Sequence, residues 1–225
     1  IDQSGYHVPN FLSKIILLEH LLDQMPTEAK VLVFVSSRAL ADLVFEKLEP
    51  NFAEVLGIIH SNKAQNFRFD TVQAFQAGDT RILIATDLIA RGIDVTDVSH
   101  VINFDIPEST ENYIHRIGRT GRADKNGIAI TFITEKDQGM LDSIEALTQK
   151  EIPLIAIPSD LEWSTELLEF EKPKVEVPGK MLKLPKRDNV GASFHEKKAK
   201  NKKVNVRYDH KKAMQEKYGK PKKKR

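Results

Sequence analysis

Ten residues, 113–122, read Y-I-H-R-I-G-R-T-G-R. Four of them, His115, Arg116, Arg119 and Arg122, are cations or potential cations. The three arginines follow one another at intervals of three, which predicts guanidinium groups on roughly one side of a helix end. Gly118 and Gly121 punctuate the helix and let another backbone approach closely. A planar guanidinium grips phosphate oxygens in pairs. Two such forks aimed at a terminal phosphoryl group would stabilise the charge that builds up as the group is transferred. The plainer alternative is a solvated basic helix face. The glycines, and the position after an apolar strand, argue against it.

A second segment, residues 82–95, reads I-L-I-A-T-D-L-I-A-R-G-I-D-V. An apolar strand runs directly into Thr86 and Asp87, then Arg91, Gly92 and Asp94. Polar groups at the carboxyl end of a buried strand are expected of a ligand site. A threonine hydroxyl and exposed backbone N–H groups suit the phosphates of a nucleic acid backbone. A carboxylate such as Asp94 suits ribose hydroxyls. The alternative is that Asp87 and Asp94 merely cap turns.

These residues need a scaffold, and hydrophobic periodicity predicts one. Helices are expected at 11–25, 37–48, 64–75, 110–117 and 136–148. Gly78 should stop the third, and Ser109 should cap the fourth. Short apolar runs rich in β-branched residues predict strands at 31–35, 55–59, 81–85, 101–104 and 128–133. Strands alternating with helices argue for an α/β fold, a parallel sheet covered on both faces. In such sheets ligands bind beyond the carboxyl ends of the strands, so the segments after each strand are the places to search. No internal repeat is present.

Charge divides the chain. From Glu171 to the end there are 20 Lys/Arg and 6 Asp/Glu, a balance of +14, against 14 and 26, a balance of −12, in the first 170 residues. Residues 1–150 are expected to be one domain. Residues 151–172 are expected to be a linker or a packed extension, and 173–225 a disordered basic tail. The tail is too poor in apolar residues to offset the entropy of ordering. Such a polycation is expected to tether nucleic acid by releasing counterions. The alternatives are a solubility tail or a transport signal, for which P-K-K-K-R at the end is a candidate. The chain has no cysteine, which excludes disulfides and cysteine-ligated metals and fits a reducing compartment. No apolar run approaches the roughly 18 residues needed to cross a bilayer. Residues 1–10 read as neither signal nor transit peptide. With no methionine at the start, the chain is expected to come from something longer.

Taken together, the motifs resemble the DEAD-box RNA helicases. H-R-I-G-R-T-G-R matches motif VI of that family at every position, and A-T-D-L-I-A-R-G-I-D-V is similar to motif V. V-L-V-F-V-S-S-R, residues 31–38, resembles motif IV, with Ser37 where the family commonly has threonine. Gln65 and Arg68 match the QxxR of motif IVa, and V-I-N-F-D-I-P, residues 101–107, resembles the strand and turn between motifs V and VI. Order and spacing agree over about residues 4–148. Ser61 departs from the family, which usually has glycine after His60. The wording is closest to the bacterial RhlE-like branch.

The resemblance implies a RecA-like fold and the C-terminal half of an ATP-dependent RNA helicase. It implies that Arg119 and Arg122 are arginine fingers on the γ-phosphate, that Asp94 binds the ribose of ATP, and that Gly92 lies beside the nucleotide. It implies that His115 and Arg116 link to the acidic motif of the first domain. It places Ser37, Gln65, Arg68, Thr86 and Arg91 at or near the RNA backbone, and Arg38 and Asp87 there too, as contacts or as supporting residues. No G-x-x-x-x-G-K-[S/T] loop and no D-E-A-D occur, so Mg²⁺ and the phosphate cradle are expected on an N-terminal RecA-like domain. The expected partners are that domain and RNA, single-stranded and duplex, with no membrane. A cytoplasmic monomer is expected. Two competing readings are a non-catalytic nucleic-acid adaptor and a DNA-unwinding relative.

Overall fold

The structure is a computed structural model. It describes residues 1–87, 95, 98–121, 126–158, 161–172 and 210–219. Arg91, Gly92, Asp94 and Arg122 lie outside the described residues. The chain divides into two units, Ile1–Pro173 and Lys174–Arg225.

The first unit is built on a six-stranded sheet. Its strands are β1 (Asp2–His7), β2 (Val31–Val35), β3 (Leu56–Ile59), β4 (Ile82–Thr86), β5 (His100–Asn103) and β6 (Ile128–Ile133). They lie in the order β1-β6-β5-β2-β4-β3, and every neighbouring pair is parallel. Successive side chains of a strand point to opposite faces, and β2 shows the consequence. Val31, Val33 and Val35 enter one core, and Leu32 and Phe34 enter another.

Helices α1 (Phe11–Gln24) and α2 (Arg38–Phe52) cover the first face through Phe11, Ile15, Leu18, Leu22, Ala41, Val44 and Leu48. Helix α3 (Gln65–Ala77) covers the second face through Val72 and Phe75. Helices α4 (Thr110–Ile117) and α5 (Gln138–Thr148) form a third cluster through Tyr113, Ile117, Leu141 and Ile144, with Ala129 and Ile133 of β6. Each buried Val, Leu, Ile or Phe among these contributes about 1.5–3 kcal/mol by leaving water. The parallel α/β sheet with helices on both faces therefore stands as the sequence predicts. Ser109 caps α4 by accepting from the Asn112 N–H, and Gly78 ends α3 at φ 95°. Helix α2 runs past its expected end, with Pro50 in its last turn. There the proline has no N–H to give the carbonyl four residues back, and the helix ends two residues later.

Strand β1 was not expected. The segment D-Q-S-G-Y-H has no apolar run and contains a glycine. Pairing along β6 makes it a strand. Gly5 packs closely, since a Cβ there would stand 2.8 Å from Ile133 Cδ1 and the Ile133 side chain would have to shift. Its other edge meets the segment beyond α5. The Gly5 N–H donates to Pro153 O at 2.9 Å, and the Ile155 N–H donates to Gly5 O at 2.8 Å.

That segment then crosses the first core, where Ile157, Leu161, Trp163 and Leu168 pack. Asn10 joins it to α1. Its Oδ1 accepts from the Ser13 N–H at 2.9 Å, capping the helix, and its Nδ2 donates to Ser164 O at 2.6 Å. The Phe11 N–H donates to Glu171 Oε1 at 2.6 Å, and the Phe11 and Phe170 rings meet edge to face at 5.7 Å.

Of the second unit the described part is one helix, α6 (His210–Tyr218), ended by Gly219 at φ 68°. Disorder was expected throughout this basic stretch. K-K-A-M-Q-E-K is made of residues that lose little freedom in a helix, which accounts for a helix there.

Candidate functional site

Strands β2, β4 and β3 are neighbours, so their carboxyl ends bring three motifs to one rim. Ser37 follows β2 and caps α2, its hydroxyl accepting from the Leu40 N–H at 3.2 Å. Gln65 opens α3, which follows β3. Thr86 is the last residue of β4 and pairs in register with Val35. Ser37, Arg38 and Gln65 are exposed, Arg68 is half-buried, and Thr86 is buried. The N-termini of α2 and α3 both open on this rim. Unpaired N–H groups at a helix N-terminus favour anions. The Arg38 Nη1 donates to Asn62 Oδ1 at 2.6 Å. The Arg68 Nε is buried without a partner among the described residues.

Arg116 departs from expectation. Helix α4 ends at Ile117, and Gly118 caps it. Arg116 is therefore still helical, while Arg119 lies beyond the helix, and these two arginines do not share one helix face. Arg116 points into the protein and is 1% exposed. Its Nε and Nη2 donate to Asp87 Oδ1 and Oδ2 at 2.6 and 2.8 Å. Its Nη1 donates to Asp105 O at 2.7 Å and Asn103 Oδ1 at 3.3 Å, and the guanidinium lies 5.1 Å from the centre of the Phe34 ring.

Arg116 turns inward to the Asp87 carboxylate, and four of its five N–H groups donate within the domain. Both Asp87 oxygens accept from Arg116, which is the supporting role that was one of its two expected roles. A buried arginine needs such a partner to offset the loss of water. His115, on the outer side of α4, is exposed.

Asp105 extends the network. Its Oδ1 accepts from Lys14 Nζ at 3.0 Å, and its Oδ2 accepts from the Ser36 N–H at 3.1 Å and the Ser36 hydroxyl at 3.0 Å. Asp105 and Ser36 escaped the sequence reading. The available signal was polar residues placed directly after the apolar strands β5 and β2. Through Arg116, α4 is thus tied to the ends of β4, β5 and β2.

Arg119 sits elsewhere. Helix α4 runs back along the sheet for about 12 Å, at 1.5 Å per residue. The Val98 N–H donates to Arg119 O at 3.4 Å, and Val98 and Thr120 form an isolated bridge. The Thr120 hydroxyl donates to the carbonyls of Val98 and Ser99. Arg119 is therefore placed before the start of β5, not beyond the carboxyl end of a strand as expected. It is half-buried, and no side-chain hydrogen bond or ion pair engages it among the described residues. Among the described residues no carboxylate pairs with Arg119.

Two glycines hold this corner. Gly121 adopts φ 72°, a left-handed conformation that other residues resist. A Cβ on Gly127 would stand 2.4 Å from Thr120 Oγ1 and 2.5 Å from Gly121 N. The Asp2 N–H donates to Gly127 O at 2.8 Å, which ties the corner to β1.

Comparison with known proteins agrees with this geometry. Residues 13–124 match the helicase conserved C-terminal domain. The chain is 44% identical over 133 residues to the ATP-dependent RNA helicase eIF4A of Scheffersomyces stipitis, covering 59% of this chain and 32% of that protein. It thus spans about a third of the length of that relative. Among solved structures it resembles the E. coli DEAD-box protein SrmB bound to regulator of ribonuclease activity A, at 33% identity and a TM-score of 0.64, covering 74% of this chain and 98% of that one. It also resembles Mss116p DEAD-box helicase domain 2 bound to an RNA duplex, at 28% identity and a TM-score of 0.64, covering 71% and 66%. On the matched domain and the RecA-like sheet that carries its motifs, this chain belongs to the DEAD-box helicases, as their C-terminal domain.

Proposed function

We propose that the chain supplies the second lobe of an ATP-dependent RNA helicase, in which ATP binding and hydrolysis are coupled to local opening of an RNA duplex. The observation that carries this is Arg119. It is a half-buried cation with no counter-charge among the described residues, on a corner locked by Thr120, Gly121 and Gly127. A polyphosphate held by a first RecA-like lobe would supply the missing charge, and Arg122 is proposed to join Arg119 there. Asp94 and Gly92 are proposed to hold the ribose side of the nucleotide. Mg²⁺, carried with ATP and held mainly by the first lobe, would neutralise phosphate charge.

RNA is proposed to cross the rim formed by Ser37, Arg38, Gln65, Arg68 and Thr86, with Arg91 contributing. The helix N-termini of α2 and α3 suit its phosphates. The exposed His115 is proposed to meet the first lobe. Closure of the two lobes would bring Arg119 onto the γ-phosphate and bend the bound strand, and a bent strand is incompatible with a duplex. The basic residues beyond 173 are proposed as a sequence-independent RNA tether. The motif wording supports the RhlE-like branch, and the protein is proposed to be a cytoplasmic monomer.

The split site has a direct test. The chain alone should show no RNA-stimulated ATPase, and the protein carrying both lobes should show it. Clear turnover by the chain alone would overturn the proposal.

A further inference from the structure

His60 is 1% exposed at the carboxyl end of β3, and no role in the proposed reaction has yet been given to it. Both of its ring nitrogens are engaged. Nδ1 accepts from the Asn62 N–H at 3.3 Å, and Nε2 lies 3.0 Å from Asp42 Oδ1. A nitrogen that accepts an N–H carries no proton of its own, so Nε2 is the donor to Asp42. Lys63 Nζ reaches the same Asp42 oxygen at 3.1 Å, and the Lys63 N–H donates to His60 O at 3.0 Å. Burial raises the Asp42 pKa, but the hydrogen bonds from His60 and Lys63 together outweigh it and leave the carboxyl below its ordinary value.

The segment 60–63 is therefore clamped to α2 through Asp42. Its exposed end is Asn62, whose Oδ1 accepts from Arg38 Nη1 at 2.6 Å. Arg38 and Asp42 lie one turn apart on α2, so they occupy neighbouring positions on one face. Yet the arginine is held by Asn62 and not by the carboxylate. The clamp diverts Asp42 to His60 and Lys63 and leaves the remaining Arg38 donors for an outside acceptor.

We propose that His60 is a positioning residue for the RNA contact: with Asp42 it fixes Asn62, and Asn62 sets the Arg38 guanidinium toward a strand phosphate. This rests on the RNA reading of the rim given above. Its value to binding is pre-organisation, since an arginine held in one geometry loses less freedom when it engages phosphate.

The test uses the intact two-lobed protein, a fluorescein-labelled oligouridylate and a non-hydrolysable ATP analogue. His60→Gln keeps a donor for Asp42 and loses the acceptor for Asn62. His60→Asn keeps the acceptor and loses the donor. Asn62→Ala breaks the exposed link without disturbing the core, so it reports even where a His60 variant folds poorly. Asn62→Ala and His60→Gln should weaken RNA binding about five- to tenfold, the size expected for one ordinary hydrogen bond. They should raise the KM for RNA more than they lower kcat. His60→Asn should bind more tightly than His60→Gln. Combining Asn62→Ala with Arg38→Ala should add nothing to Arg38→Ala alone, since one link is being broken twice.

Wild-type binding with unaltered binding by Asn62→Ala, or additive losses in the double variant, would overturn the inference while leaving the RNA reading intact. No binding by the wild-type protein would overturn both.

Discussion

The Arg116 guanidinium meets the Asp87 carboxylate in two parallel hydrogen bonds, Nε to Oδ1 at 2.6 Å and Nη2 to Oδ2 at 2.8 Å, across 29 residues of sequence. The pair joins α4 to the end of β4. The Arg116 side chain is 2% exposed and that of Asp87 27% exposed. Removing Arg116 leaves the Asp87 carboxylate unpaired with only part of its surface open to water. Arg116→Met should therefore lower stability by about 3–5 kcal/mol, read from urea unfolding. Arg116→Lys keeps the charge but not the fork and should recover only part of the loss. Unchanged unfolding midpoints in both would show that the pair does not hold α4.

The corner that carries Arg119 depends on Gly127. In Gly127→Ala the new methyl meets Thr120 Oγ1 at 2.4 Å and Gly121 N at 2.5 Å. Overpacking of this kind costs about 1–3 kcal/mol. The strain falls on the Arg119 corner, away from Ser37 and Gln65, so RNA-stimulated ATPase should drop more than RNA binding. Equal loss of both would place the damage in the whole fold.

Asn10 uses both halves of its amide, one for the α1 cap and one for Ser164 O. An aspartate would keep the cap and set a carboxylate oxygen against a carbonyl. Asn10→Asp should destabilise the domain by about 1–3 kcal/mol, seen as a lower melting temperature. A gain in stability would mean that the contact to residue 164 contributes nothing.

Burial pushes the Tyr113 hydroxyl from 10.0 up to about 12, against a hydrogen bond with Thr131 and with a smaller contribution from the Glu145 charge. A folded value above the unfolded one means stability that is complete below pH 10 and is lost as pH rises toward about 12. The loss should be on the order of 2–3 kcal/mol. Tyr113→Phe should show a shallower alkaline decline in urea unfolding between these limits. An identical decline would assign it to other groups.

If the basic tail tethers RNA, deleting residues 173–225 should weaken RNA binding and flatten its dependence on salt, because fewer counterions are released. An unchanged salt slope would remove this role.

The core strands were legible because each is an apolar run buried on both faces, as Val31–Val35 and Ile82–Thr86 show. Strand β1 was not, because β6 and residue 153, not its own composition, make it a strand. The motif residues were legible by type and spacing. Their directions were not. Arg116 turns inward only because Asp87 stands opposite it in the folded chain, and no local spacing carries that information. Arg119 sits before β5 because α4 runs back across the sheet, which a rule about carboxyl ends does not foresee.

The most direct measurement compares ATP hydrolysis and RNA binding in the intact protein carrying Arg119→Ala. Loss of RNA-stimulated ATPase by about a thousandfold or more, with RNA affinity within a few fold of wild type, is the predicted result. Retained hydrolysis would contradict the assignment of Arg119 to the transferred phosphoryl group.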